Sequence, residues 1–355
     1  MTQEFSAALL KSAAVAGESV HRFRSDDSLV FLLFSDLHMK TVESDEVEKL
    51  LMALKAADLE ISPDLVINLG DNPGMLGREQ HITNDNLAGL LTRLFDNMQS
   101  AVNCPMLLIH GNHDAPGTDF HKPDFWNEII KGRYGHDKAV YGPEGSYCYL
   151  DISTVKTRFV ILSMPYESDI DSLIPSPCWK FGDEQLRWLA NDALNTEYSV
   201  ILLSHVPFFY EYRGNRESML DVWTGERTAK SYIKDLCGEI ADREIAVAIL
   251  SAFQKHEEYR DDTLGICLKA SPFTASLAAC FSGHTHKDAL LQSEEVMDKN
   301  TNPLPCTQVV TKTATIFYGD EPHMGISLDA IVWSPSERSF HIFRIGDGEN
   351  RSFSV

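Results

Sequence analysis

Residues 29–38 read Leu29-Val30-Phe31-Leu32-Leu33-Phe34-Ser35-Asp36-Leu37-His38: six apolar residues in a row, then an acid and an imidazole two positions apart. An unbroken apolar run of that length fits a strand buried on both faces. The arrangement recurs four times. Leu65 to Leu69 leads into Gly70-Asp71-Asn72, and Met106 to Ile109 leads into Gly111-Asn112-His113-Asp114. Val200 to Leu203 precedes Ser204-His205-Val206, and Ala275 to Phe281 precedes Gly283-His284-Thr285-His286. Strands that each deliver a donor at their C-terminal ends converge carboxylates, imidazoles and an amide oxygen on one crevice. Such a mixture of hard oxygen and borderline nitrogen donors suits divalent transition metals. It is too rich for one ion and suggests two.

The segments between the runs carry helical signals. Ser44 to Leu59 has Ser44 as a plausible N-cap, Asp45 and Glu46 in the first turn, and Val47, Leu50, Leu51 and Leu54 at helical spacing. Asn84 to Ala101 repeats the pattern with Leu87, Leu90, Leu91 and Leu94 on one side. This βαβαβ rhythm implies parallel strands joined by crossover helices. Farther on, Tyr147 to Ile152 and Arg158 to Leu162 flank a short polar turn and read as an antiparallel pair. Asp183 to Leu194 reads as a helix. Val309 to Phe317, Gly325 to Trp333 and Phe340 to Ile345 read as a closing β-meander. The Pro-rich patch Ile174 to Pro177 reads as a surface turn.

Composition narrows the class. The chain has 355 residues, 43% hydrophobic and 23% charged, which is ordinary for a globular protein. No apolar run reaches the ~18 residues of a membrane span. The alanine-rich start, Met1 to Gly17, contains Glu4 and Lys11 and lacks the basic lead and continuous apolar centre of a secretory leader, so the cytoplasm is the expected location. Seven cysteines without a C-x-x-C pair argue for reduced thiols rather than a disulfide framework. The net charge of −21, with no basic stripe, argues against a nucleic-acid polymer as substrate.

In order, Asp-x-His, Gly-Asp, Gly-Asn-His-Asp, a lone His and Gly-His-x-His resemble the calcineurin-like metallophosphoesterase superfamily over roughly residues 29 to 320. The resemblance implies an α/β fold: a four-layer α/β/β/α sandwich with two facing mixed β-sheets. It implies a single domain over 1–355, with 206–282 as an insertion of helices Thr228 to Ile240 and Arg243 to Glu258. That insertion is long for the family. Its aromatics and charges (Phe208, Phe209, Tyr210, Tyr212, Arg213, Arg216, Trp223) fit either a cap over the site or structural packing.

The resemblance also assigns roles. Asp36, His38 and His286 would bind one ion, Asn112, His205 and His284 the other, and Asp71 would bridge them. The ions would be two divalent transition metals (Mn, Fe, Zn or Ni) whose bound hydroxide attacks a phosphoester. His113 would contact the phosphate or protonate the leaving oxygen. Asp114 would orient that imidazole or support the turn, and Asn72 would bind phosphate or support its own turn. His110, His81, His121 and His323 are expected to be incidental. The Gly-Asn-His-Asp ending, and Asn72-Pro73-Gly74 after Gly70-Asp71, depart from the protein phosphatases of the superfamily and favour its phosphodiesterase-type branch. A small phosphodiester or phosphomonoester is the expected substrate, with no membrane partner. The alternatives are a non-catalytic scaffold for protein binding and a nuclease.

Overall fold

Apolar runs with helical segments between them need sheets covered by helices, and two such assemblies form. The computed structural model describes residues 3–74, 84–114, 123–163, 166–168, 177–207, 239–240, 242–286, 288–292, 305–315 and 324–355. By its contacts the chain divides into two units. One comprises Met1–Ala139, His286–Asp288 and Thr311–Val355, and the other Val140–Thr285 and Ala289–Val310.

The first unit is built on β1 (Leu29–Phe34), β2 (Leu65–Asn68), β3 (Met106–Leu108), β16 (Ser327–Ser334), β17 (Ser339–Gly346) and β18 (Arg351–Ser354). They form one sheet in the order β18-β17-β16-β1-β2-β3. β1, β2 and β3 run parallel, while β16, β17 and β18 add antiparallel neighbours on the other side of β1. Helices α1 (Gln3–Phe23), α2 (Asp45–Ile61), α3 (Asn84–Gln99) and α4 (Pro123–Ile130) belong to this unit. Val30, Leu32 and Phe34 share a core with Leu50 and Leu54 of α2, Leu87, Leu91 and Leu94 of α3, and Leu9 and Val20 of α1. Every residue of β1 is buried, so the strand is covered on both faces, as its unbroken apolar run requires. Each fully buried Leu, Val or Phe there contributes about 1.5–3 kcal/mol relative to exposure.

The second unit holds β4 (Val140–Tyr141), β5 (Cys148–Ile152), β6 (Thr157–Ile161), β9 (Ser199–Leu203), β13 (Ser276–Ser282), β14 (Ala289–Leu291) and β15 (Gln308–Val310). They form a seven-stranded sheet, β14-β15-β13-β9-β6-β5-β4, whose four middle strands are parallel. The sheet's core joins Val160, Val200, Leu202 and Leu277 to Leu186 of α5 (Asp183–Trp188) and to Ala246, Ile249, Leu250 and Phe253 of α6 (Arg243–Gln254). Two small sheets complete the described residues: β7 (Tyr166–Ser168), β8 (Pro177–Trp179) and β10 (Glu239–Ile240) form one, β11 (Tyr259–Asp261) and β12 (Ile266–Leu268) the other. The fold is mixed α/β, with two large mixed sheets.

Several expectations need correction. Val309 to Phe317 does not open the meander: β15 ends at Val310 and joins the seven-stranded sheet, and the meander's third strand is β18. Glu239–Ile240, the end of a predicted helix, pairs as a strand with Cys178 and Trp179. The helix from Asp183 changes to a π-helical turn at Leu189–Ala193, closed by Leu194 N–H donating to Leu189 O at 2.9 Å. Ser44 stands at the N-cap of α2, but its side chain makes no capping bond. Helix α1 was not foreseen. The aromatic-rich stretch from Phe208 to Trp223, the helix expected from Thr228 up to residue 238, His81, His121, His323 and the turn from Ile174 to Ser176 lie outside the described residues. No described helix is long and apolar enough to cross a membrane.

Candidate metal centre

The parallel register aligns Phe34, Asn68 and Leu108 across β1, β2 and β3, so three chains leave the first unit's sheet at one level. Asp36, Asp71 and Asn112 lie in the loops that follow, outside the carboxyl ends of the strands. The backbone there is unusual. Asp36, His38, Asp71, His284 and His286 all have positive φ, between 47° and 66°. Asp, Asn and His enter this left-handed region more readily than most side chains. The turns are also tight: a Cβ on Gly111 would stand 2.3 Å from both the N and the Oδ1 of Asp71, so only glycine fits.

Asp114 ties these turns together. Its Oδ2 accepts the N–H of Asp71 and of Gly111, each at 2.8 Å. Its Oδ1 accepts the Asn72 N–H at 3.0 Å and the Asn72 side-chain amide at 3.1 Å. Burial, then the Asp71 charge, push its carboxyl pKa up to about 6, opposed by these donors. The carboxylate is therefore engaged in holding the turns. Asn72 is occupied likewise: its Oδ1 accepts from Asn68 Nδ2 at 2.6 Å, and the residue is buried. Both of its amide atoms thus help to hold the turn, and the second N–H of Nδ2 is the donor through which it would reach a phosphate.

Asp36 is fully buried, with its N–H donated to Gly70 O at 2.9 Å. His38 Nε2 and His286 Nε2 lie 2.8 Å apart, and Asp36 Oδ1 lies 3.7 Å from the first and 3.3 Å from the second. Ligands of an ion bound at about 2.0–2.2 Å are separated by about 3–3.5 Å in tetrahedral geometry, so this triad fits a metal. Burial lowers the His38 pKa to about 4, against the opposing pull of Asp71 and Asp36. The neutral imidazole is the form that ligates metals. Beside the triad, His113 donates its backbone N–H to Asp71 Oδ1 at 2.7 Å, and its Nε2 lies 3.8 Å from Asp71 Oδ2. The His113 ring stands edge-on to His38, with 5.0 Å between centroids. Asn112 is half-buried in the same loop.

In the second unit β9 and β13 are parallel neighbours with Leu203 opposite Phe281, so the two chains end together. Gly283 N–H donates to His205 O at 2.9 Å, and His205 Nε2 lies 3.3 Å from His284 Nδ1. Two imidazoles foreseen as ligands of one ion are therefore adjacent. His110, expected to be incidental, packs against Trp126.

Several supporting residues went unread in the sequence. Thr313 Oγ1 donates to Asp36 O at 2.6 Å, and Thr315 Oγ1 donates to Leu37 O at 3.0 Å. Asn68 accepts the Gly70 N–H at 2.9 Å. A polar Asn closing the apolar run Leu65–Asn68 was the available signal, as was the alternation of threonines at 311, 313 and 315.

The sequence pattern of the calcineurin-like phosphoesterase family matches residues 29–288. A dimetal phosphatase from Danio rerio is similar in structure, with a TM-score of 0.55 at 12% identity, covering 92% of this chain and 98% of that one. PhoD is similar with a TM-score of 0.52 at 12% identity, covering 92% of this chain and 68% of the other. At such identity the likeness is one of fold. No curated protein matches this chain.

Proposed function

This chain belongs to the calcineurin-like phosphoesterase family, and from that premise we propose that it hydrolyses a small phosphodiester or phosphomonoester with two divalent transition metal ions. The observation that carries this is the convergence of Asp36, His38 and His286 within 2.8–3.7 Å of one another, next to Asp71 and His113. Asp36, His38 and His286 would hold one ion and Asn112, His205 and His284 the other, with Asp71, whose carboxylate has two anionic oxygens, shared between them. That one of the similar structures is a dimetal phosphatase agrees with two ions. When bound, Mn, Fe, Zn or Ni ions supply a nucleophile from water at neutral pH and charge opposite the phosphoryl oxygens.

The chain's own groups do the rest. Asp114 and Asn72 fix the Asp71 turn before substrate arrives, so the charge facing the phosphate is preorganised. His113, part-exposed and beside Asp71, delivers a proton to the departing oxygen. The absence of the protein-phosphatase sequence features favours a diester over a phosphoprotein.

The test is paired hydrolysis of p-nitrophenyl phosphate and bis-p-nitrophenyl phosphate by metal-stripped protein refilled with each ion. Metal-dependent turnover favouring the diester is expected. Asp71→Asn should abolish it and much of the metal content. His113→Ala should keep both ions and lower turnover by roughly 10²–10⁴-fold. Full metal occupancy without turnover on either ester would sink the hydrolase and favour a protein-binding scaffold.

A further inference from the structure

Within the first unit, His286 and Asp288 lie outside any strand, immediately before β14, and Asp288 is tied down by charge. Asp288, two residues beyond His286, receives the Arg344 guanidinium: Nη2 donates to its Oδ1 at 2.6 Å. Arg351 Nη1 reaches the same oxygen at 3.2 Å, and the Lys312 N–H donates to it at 3.1 Å. Both arginines also bind Asp329, through Arg344 Nη2 at 3.0 Å and Arg351 Nη2 at 2.7 Å. Asp329, Arg344 and Arg351 stand on the adjacent strands β16, β17 and β18, with Asp329 directly opposite Arg344 and, on the other side, opposite Leu33 of β1. Two guanidiniums thus join two carboxylates, with Asp329 and Arg344 shielded from water. A Cβ on Gly348 would lie 3.0 Å from Asp288 Oδ2 and 3.1 Å from Arg344 Cζ, in a residue with φ of +128°, so the adjacent turn is shaped around the pair.

We infer that Asp288, clamped by Arg344 and Arg351, is a positioning residue that seats His286 against Asp36 and His38 and so sets the affinity for one ion selectively. The inference rests on the two-ion phosphoesterase reading. Its physical basis is leverage. His286 is itself left-handed, as is His284 two residues before it, and it contributes a nitrogen 3.3 Å from Asp36 Oδ1. The Asp288 ion pairs fix where that backbone lies on the first unit's sheet, one residue before Ala289 enters β14. His205 and His284 are fixed instead by the β9–β13 pairing, which these charges do not touch.

The experiment titrates Mn²⁺ into metal-stripped full-length protein and counts bound ions by equilibrium dialysis and electron paramagnetic resonance. The parent should take two ions. Asp288→Ala should take one with parental affinity and bind the other about 10–100-fold more weakly, the range for groups that orient ligands from behind. Asp288→Asn, which keeps an acceptor oxygen, should show the same one-site loss to a smaller degree and covers the case in which the alanine variant misfolds. Asp58→Ala, which removes exposed bonds to Asn103 far along α2, should titrate like the parent. Parental uptake of both ions by both Asp288 variants, or equal weakening of the two, would overturn the inference. A parent that takes fewer than two ions would instead overturn the two-ion reading itself, whatever the variants do.

Discussion

Asp114→Asn exchanges one carboxylate oxygen for an NH₂, and the geometry dictates its cost. Each oxygen accepts two N–H groups: Asp71 and Gly111 at Oδ2, Asn72 backbone and side chain at Oδ1. Whichever way the amide turns, two bonds are lost and two donors face a third. Hydrogen bonds to an ionised acceptor contribute about 1.5–3 kcal/mol each, so the loss is about 3–6 kcal/mol in a fully buried site. For a unit of this size that corresponds to a fall in melting temperature of roughly 10 °C or more. Thermal unfolding of metal-stripped protein, followed by circular dichroism, isolates this term from metal binding. Turnover of the metal-loaded variant should fall as well, because either orientation frees the backbone N–H of Asp71 or of its neighbour Asn72. A melting temperature within about 2 °C of the parent would refute the clamp. If turnover nevertheless collapsed in such a stable variant, Asp114 would return to the role of orienting the His113 imidazole.

Gly111→Ala should cost metal content and turnover together, since its Cβ must displace Asp71 from 2.3 Å; full metal content by elemental analysis would contradict the packing described. Thr313→Val removes the donor to the buried Asp36 carbonyl and should destabilise by about 1–2 kcal/mol, with Thr313→Ser close to the parent in urea unfolding. His136 is buried, accepts the Leu108 N–H at 2.9 Å, and has its pKa lowered to about 4, chiefly by burial. Its unfolded pKa is near 6.5, so as pH falls below that value the unfolded chain takes up the proton first and folding weakens until about pH 4. His136→Gln retains an acceptor without titrating. Between pH 7 and pH 5 the parent should therefore lose about 2 kcal/mol more than the variant, and parallel urea midpoints would disprove it.

The parts legible in sequence were those governed by local periodicity. Strand β1 was read to the residue because six consecutive apolar positions admit little else, and α2 and α3 because their leucines repeat at helical spacing. The positions of Asp36, Asp71, Asn112, His205 and His284 were legible because each follows the end of a buried strand. What escaped depends on distant partners. The two-residue strand Glu239–Ile240 exists only through its pairing with β8, and no window of sequence contains that pairing. Strand β15 turned away from the predicted meander because Val309 and Val310 pair with Phe281 and Ser282. Thr313 serves a carbonyl 277 positions away, and Asp288 an arginine 56 positions away. The bonds from Asp114 to Asp71 and Asn72 span 43 and 42 positions, so no local window of sequence contains them either.

The left-handed residues of the metal loops have an evolutionary consequence. Asp36, His38, Asp71, His284 and His286 each hold a backbone that costs an ordinary L-residue about 1–2 kcal/mol, somewhat less for Asp and His. Summed, the burden is on the order of several kcal/mol, a sizeable part of a domain's net stability. The chemistry is therefore maintained against the folding interest of the chain. If these residues hold the ions as proposed, a descendant that let them drift to glycine would lose metal and gain stability, so selection on turnover alone would oppose the decay of this signature.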